Sequence, residues 1–136
     1  MTTIEIQGRA IGDGEPCFIV AEAGLNHNGL QGVALALIEQ AAHAGVDAIK
    51  FQTQKTEEVM DPEDEEFEEE QQSELDKEQH AEQLAAASTQ GISFLSTPFD
   101  EPSVDLLDDI GVSAFKVGSG ELTHFPLLRY IAEKGK

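Results

Sequence analysis

Hydrophobic residues along the chain follow two alternating patterns. Short, nearly continuous apolar runs begin near positions 18, 48, 92 and 114. Each is followed by a longer stretch with apolar residues at helical spacing, over 33–44, 77–90, 101–110 and 126–133. A run apolar on both faces fits a parallel strand covered by helices. Gly45, Gly91 and Gly111 stand where the first three helices should stop, and Pro102 falls in the first turn of the third. Ahead of these units, residues 2–17 read as a hairpin: Ile4 and Ile6 alternate with polar neighbours, and Gly12-Asp13-Gly14 offers a turn before Pro16. Four β–α units in series predict an α/β fold with a parallel sheet and right-handed crossovers.

The polar residues that interrupt this pattern fall in one place. Glu22, Lys50, Gln52, Thr97, Lys116, Ser119 and Glu121 all lie at or just past the C-terminal end of a predicted strand. In parallel α/β folds that edge binds ligands, and in a (β/α)8 barrel it carries the active site. Lys50 and Gln52 share one face by the period-two rule. An ammonium inside an apolar run is costly unless an anion meets it, so Lys50 and Lys116 point to an anion site. The stretch 114–121, AFKVGSGE, reads as a buried strand ending in a lysine, then a turn whose backbone amides and Ser119 hydroxyl suit a phosphate or carboxylate. Glu22 either neutralises one of the lysines or takes part in chemistry. Thr97 and Ser119 also fit plain turn and cap roles.

Composition narrows the classes. Eight basic residues against 27 acidic ones give a net charge of −19, which opposes nucleic acid or an anionic membrane as partner. Such a surface suits a high-salt, halophilic interior, where salt screens the repulsion. The run 61–78, rich in Asp and Glu, reads by itself as a solvated or disordered face. No apolar run reaches membrane-spanning length and no signal peptide is recognisable. The single Cys17 excludes an internal disulfide and fits a reduced, cytoplasmic setting.

Other motifs are excluded or given local roles. His27 reads as a cap for the helix after Gly29, His43 and His80 as surface residues, and His124 as a loop residue. No histidine pair has metal-ligand spacing, so no metal site is expected within the chain. There is no P-loop, and Gly118-Ser119-Gly120 is too short for a dinucleotide fingerprint.

The segments 18–29 (FIVAEAGLNHNG), 45–54 (GVDAIKFQTQ), 91–100 (GISFLSTPFD) and 115–129 (FKVGSGELTHFPLLR) together closely resemble the N-terminal half of sialic acid synthases. That family includes N-acetylneuraminate synthase and its relatives for legionaminic and pseudaminic acids. The resemblance implies a (β/α)8 TIM barrel, of which this chain covers about the first four β–α units after an N-terminal hairpin. For full-length members the resemblance also implies a small antifreeze-like domain that reaches the partner subunit's active site in a domain-swapped homodimer; that domain and the second half of the barrel are expected to be absent from residues 1–136. The resemblance further implies condensation of phosphoenolpyruvate with an N-acylated hexosamine such as N-acetylmannosamine, with release of phosphate. On this pattern Lys50, Thr97, Lys116 and Ser119 hold the carboxylate and phosphate of phosphoenolpyruvate, and Gln52 lines the same pocket. Glu22 lies beside the reacting carbons, and Glu121 hydrogen-bonds the sugar. A divalent cation, manganese or magnesium, is expected for the full-length family, with ligands outside this chain.

A full barrel needs about 250 residues, so the chain of 136 is expected to be a fragment or a truncated reading frame. The acidic run, on the catalytic face, should repel an anionic substrate at low salt. Two other readings compete with the synthase. One is another phosphoenolpyruvate-dependent sugar-acid synthase, although the Asn26-His27-Asn28-Gly29 loop and GSGELTH favour the sialic acid branch. The other is a catalytically incomplete half-barrel that binds anions or assembles without turnover.

Overall fold

The computed structural model describes residues 3–136. Residue 2 of the expected hairpin therefore lies outside the described residues. Strands β1 (Ile4–Ile6) and β2 (Arg9–Ile11) pair antiparallel, with Ile4 opposite Ile11 and Ile6 opposite Arg9. The turn between them is Gln7-Gly8, both at positive φ (49° and 81°), and not Gly12-Asp13-Gly14. A two-residue turn of this hand matches the twist of the strands it joins. The glycine pair forms a separate turn after β2, where Glu15 N–H donates to the Gly12 carbonyl at 3.1 Å.

The main sheet is parallel, in the order β3 (Val20–Gly24), β4 (Ala48–Thr53), β5 (Ser93–Pro98). Helices α1 (Gln31–His43), α4 (Lys77–Thr89) and α5 (Glu101–Asp109) follow the strands, and α6 (Phe125–Glu133) comes last. Two short helices, α2 (Thr56–Val59) and α3 (Phe67–Gln72), occupy the segment between β4 and α4. Gly45, Gly91 and Gly111, at φ of 76–82°, end α1, α4 and α5 at the stops expected of them. Asp76 and Asp100 begin α4 and α5, each accepting from a backbone N–H three residues on.

Alternation along the strands divides the sheet's two faces. Ile49, Phe51 and Phe94 point to the helices and meet Ala34, Ile38, Ala87 and Leu107 in the core. The Phe51 and Phe94 rings stack with centroids 5.7 Å apart. Each such side chain contributes about 1.5–3 kcal/mol by leaving water, which is ample to fix the strands' register. Lys50, Gln52 and Thr97 therefore face the other way.

Three expectations change. Residues 114–118 are not a buried strand: among the described residues one backbone hydrogen bond, from Lys116 N–H to the Ser96 carbonyl at 3.1 Å, ties them to β5. No further strand lies beyond this segment among the described residues, so it stands as an open edge of the sheet. β3 is likewise an edge, with Ile19 and Val20 exposed. The acidic run is a solvated face over most of 61–72, but it is ordered. It contains α3, buries Leu75, and is pinned by Glu74, whose carboxylate accepts from Thr56 N–H at 2.7 Å and Lys55 Nζ at 3.0 Å. Finally, α4 buries His80, Gln83 and Ala87 and leaves Ala81 and Ala85 exposed. His80 is thus an interior residue, because the Thr53 hydroxyl and the Asp76 carbonyl give both ring nitrogens polar partners there.

Candidate active site

The cleft at the C-terminal edge of the sheet has a volume of about 550 Å³ and draws its lining from each of the four units. β3 contributes Glu22 and Gly24, and β4 contributes Lys50 and Gln52. Thr97 and Phe99 come from β5 and its end, and Lys116, Gly118 and Ser119 from the segment beyond α5. The register explains the convergence: Glu22 pairs with Lys50, and Gln52 with Thr97, at the same level of adjacent strands.

Lys50 is the buried member, 8% exposed. Its Nζ lies 3.0 Å from Glu22 Oε2, 3.3 Å from Thr97 Oγ1 and 3.4 Å from the Phe51 carbonyl. Three donors meet three acceptors, which offsets the cost of burying the charge. Lys116 differs. It is exposed on the cleft wall, and among the described residues it enters no ion pair. The cleft thus holds one buried, oriented cation and one unpaired cation, together with the carboxylates of Glu22 and Glu70.

Gly24 sets the shape of one wall. Its φ is +55°, and a Cβ there would lie 2.9 Å from Gln52 Oε1 and 3.4 Å from Glu22 Oε1. The backbone, bent by a register shift after Glu22, thus passes directly against both polar side chains. At Gly29 a Cβ would come within 2.0 Å of the Gln72 carbonyl, so the loop after β3 and the acidic segment touch backbone to backbone. His27, in that loop, does not cap α1. Its Nδ1 accepts from Gly29 N–H at 3.1 Å, and the cap position is Leu30 with no side-chain bond.

Six of the seven residues singled out from the sequence line this cleft, and Glu121 does not. Its carboxylate turns to His124 Nδ1, 2.9 Å away, while its Cγ backs onto Gly118. Four features escaped the sequence reading. Phe99 and Asn26 line the cleft, and so does Glu70, hidden in the acidic run, where it accepts from Gln54 Nε2 at 2.7 Å. The fourth is the buried His80–Thr53–Ser96 cluster, whose only signal was a histidine and a glutamine in phase with Ala87 on α4.

Burial pushes the His27 and His80 rings below their ordinary 6.5; any charge on His80 would lower His27 further, and Lys55 lowers His80, while hydrogen bonding to Asp76 partly opposes the shift at His80. At Glu74 burial acts to raise the carboxyl, but the Thr56 amide and Lys55 prevail and hold it below 4.5. Among the described residues no three His, Cys, Asp or Glu side chains converge to hold a metal ion. The donors among the described residues do not form a divalent-cation site. Among the described residues no helix is long and apolar enough to cross a membrane.

Comparison with known proteins bears on the family and the fold. The NeuB family model matches residues 37–136. The N,N'-diacetyllegionaminic acid synthase of Campylobacter jejuni is 40% identical over 132 residues, covering 87% of this chain and 40% of that protein. The N-acetylneuraminate-9-phosphate synthase of Homo sapiens is 34% identical over 142 residues, covering 95% and 40%. The crystal structure of the N-acetylneuraminic acid synthetase of Leptospira borgpetersenii, in complex with citrate, superposes with a TM-score of 0.94 at 35% identity, covering 98% of this chain and 47% of that one. The chain spans about two fifths of the length of the curated relatives it matches.

Proposed function

Because the chain belongs to the NeuB family, we propose that its cleft is the phosphoenolpyruvate side of a sialic acid synthase-type active site. The described residues form three β–α units of a (β/α)8 barrel, with 114–118 and α6 in the place of a fourth, preceded by the β1–β2 hairpin. The observation that carries the reading is the convergence of Lys50 and Lys116 with Gln52, Thr97 and Ser119 on one cleft at the strands' C-terminal edge.

Phosphoenolpyruvate carries a carboxylate and a phosphate, and the cleft offers a cation for each. Lys50, held by Thr97, takes one anionic group, and Lys116 with the Ser119 hydroxyl takes the other. In the reaction the methylene carbon of phosphoenolpyruvate bonds to the aldehyde carbon of an open-chain N-acyl hexosamine, such as N-acetylmannosamine. The aldehyde oxygen takes up a proton. Water adds to the neighbouring enol-ether carbon, and the tetrahedral intermediate loses phosphate with its bridging oxygen to leave a keto acid. Fixed ammonium groups suit this chemistry because negative charge grows on the departing phosphate. Glu22, beside Lys50 and 58% exposed at its side chain, is the group near the reacting carbons that can move or orient a proton. Glu121 reaches the sugar only by releasing His124. A divalent ion, manganese or magnesium, belongs to the proposal as an aldehyde-polarising Lewis acid held by residues other than the described ones.

The test is turnover. Phosphate release is followed with phosphoenolpyruvate alone, then with N-acetylmannosamine added, for the wild type and Lys116→Ala. Sugar-dependent release lost in the variant supports the synthase reading. Saturable phosphoenolpyruvate binding with no release under either condition instead supports an anion-binding half-barrel without turnover.

A further inference from the structure

Behind the cleft, on the helix-facing side of the sheet, four groups form one hydrogen-bonded line. His80, in the first turns of α4, is 3% exposed. Its Nδ1 lies 2.8 Å from the Asp76 carbonyl, which can only accept, so Nδ1 carries the proton. Nε2, 3.0 Å from Thr53 Oγ1, then accepts from the Thr53 hydroxyl. Thr53 Oγ1, 2.7 Å from Ser96 Oγ, accepts in turn from Ser96. The backbone carbonyl of that same Ser96 takes the Lys116 N–H at 3.1 Å.

We propose that neutral His80 is a positioning residue for Lys116, acting through Thr53 and Ser96 on the strand end from which the Lys116 backbone hangs. The inference rests on the reading of the cleft as an anion site. Among the described residues the 114–118 segment is tied to β5 by that one backbone bond, so the position of Ser96 decides where the second cleft cation stands. The neighbours of Thr53 and Ser96 in sequence, Gln52 and Thr97, are themselves register partners in the cleft.

The line has a defined polarity, and protonation reverses it. A doubly protonated imidazole has no acceptor, so Nε2–H would donate to Thr53 Oγ1 and the Thr53 hydroxyl would turn to donate to Ser96, leaving the buried Ser96 hydroxyl without an acceptor among the described residues. The groups facing His80 are Asp76 at the N-terminus of its own helix, Lys55 beyond β4, Glu70 and Glu74 of the acidic segment, and His27 of the loop after β3. Asp76 favours the charged ring; burial and Lys55 oppose it. Lys55 is itself shared with Glu74.

The experiment compares wild type, His80→Leu, which removes the acceptor, and His80→Gln, which restores an acceptor that does not titrate. Hydrogen exchange of the Lys116 amide is measured by NMR without ligand, and phosphoenolpyruvate affinity by calorimetry, at pH 7.5 and 5.5. The expected result at pH 7.5 is Lys116 exchange about tenfold faster in His80→Leu and phosphoenolpyruvate bound about fivefold more weakly, with both near wild type in His80→Gln. At pH 5.5 the wild type moves toward His80→Leu relative to His80→Gln, a ratio in which the ligand's own ionisation cancels. Thr53→Val breaks the same line and replaces His80→Leu if that variant does not fold. Equal Lys116 exchange in the broken and intact proteins overturns the inference, whatever the affinities. If the wild type binds no phosphoenolpyruvate at pH 7.5, the cleft reading fails, and exchange at Lys116 alone decides whether His80 positions that segment.

Discussion

Lys50 and Glu22 face each other as register partners across β4 and β3, and their side chains meet at 3.0 Å between Nζ and Oε2. The pair is asymmetric: the lysine side chain is 10% exposed and the glutamate 58%. An arriving anion can therefore share the buried cation while the carboxylate swings into solvent. Glu22→Gln is expected to change stability by less than about 1 kcal/mol, since one partner is well solvated. Phosphoenolpyruvate affinity should hold or rise, as a competitor for Lys50 is gone, while sugar-dependent phosphate release falls. Unchanged turnover would leave Glu22 as a mere counter-ion for Lys50.

Gly24 is the position where the backbone leaves no room for a side chain. Gly24→Ala combines a positive φ with a Cβ 2.9 Å from Gln52 Oε1. A loss of about 1–3 kcal/mol is expected, measured by urea unfolding, together with weaker phosphoenolpyruvate binding as Gln52 is displaced. A stability within error of wild type would mean that the bend after Glu22 relaxes freely.

Glu74→Gln tests what orders the acidic segment. Losing the charge-assisted bonds to Lys55 and the Thr56 amide should cost about 1.5–3 kcal/mol and speed proteolysis within residues 61–72. The carboxyl is held below 4.5 in the folded chain, so its contribution is present above that value and disappears as pH falls through the lower folded one. Limited proteolysis at pH 7 and pH 4 would show the wild type approaching the variant at the lower pH.

The two interior histidines add a second pH dependence at higher pH. Both rings are held below 6.5, so the unfolded chain takes up protons there before the folded one does. Their stabilising contribution is full above 6.5 and declines as pH falls from 6.5 toward the folded values. His80→Gln should lessen the drop in thermal midpoint between pH 7.5 and 5.5; an equal drop would assign the effect to other groups.

Net charge makes a separate prediction. With 27 acidic residues against 8 basic ones, repulsion is screened by salt. The thermal midpoint should rise between 0.1 M and 2 M potassium chloride, and a flat response would remove the halophilic proposal.

Period and punctuation made much of the fold legible in the sequence. The helices of the β–α units, their glycine stops and the alignment of Lys50 with Gln52 came from local rules that the tertiary structure does not override. The 114–118 segment was misread because its apolar composition is that of a strand, whereas pairing depends on neighbours that no local pattern reports. His80 resists a local reading because polarity implies exposure; its partner Thr53 is distant in sequence, and Thr53 meets Ser96 only through the β4–β5 register. Glu70 and Glu74 looked like two charges among many, and only their contacts with Gln54, Lys55 and Thr56 separate them from the solvated rest.

The most direct measurement is calorimetric titration of the protein with phosphoenolpyruvate, repeated on Lys50→Met and Lys116→Ala. The account predicts one saturable site, with affinity reduced by about 10–100-fold in each variant as a charge-assisted contact is lost, and with Lys116→Ala as stable as wild type. No binding by the folded wild type, or binding that neither variant weakens, would contradict the assignment of this cleft.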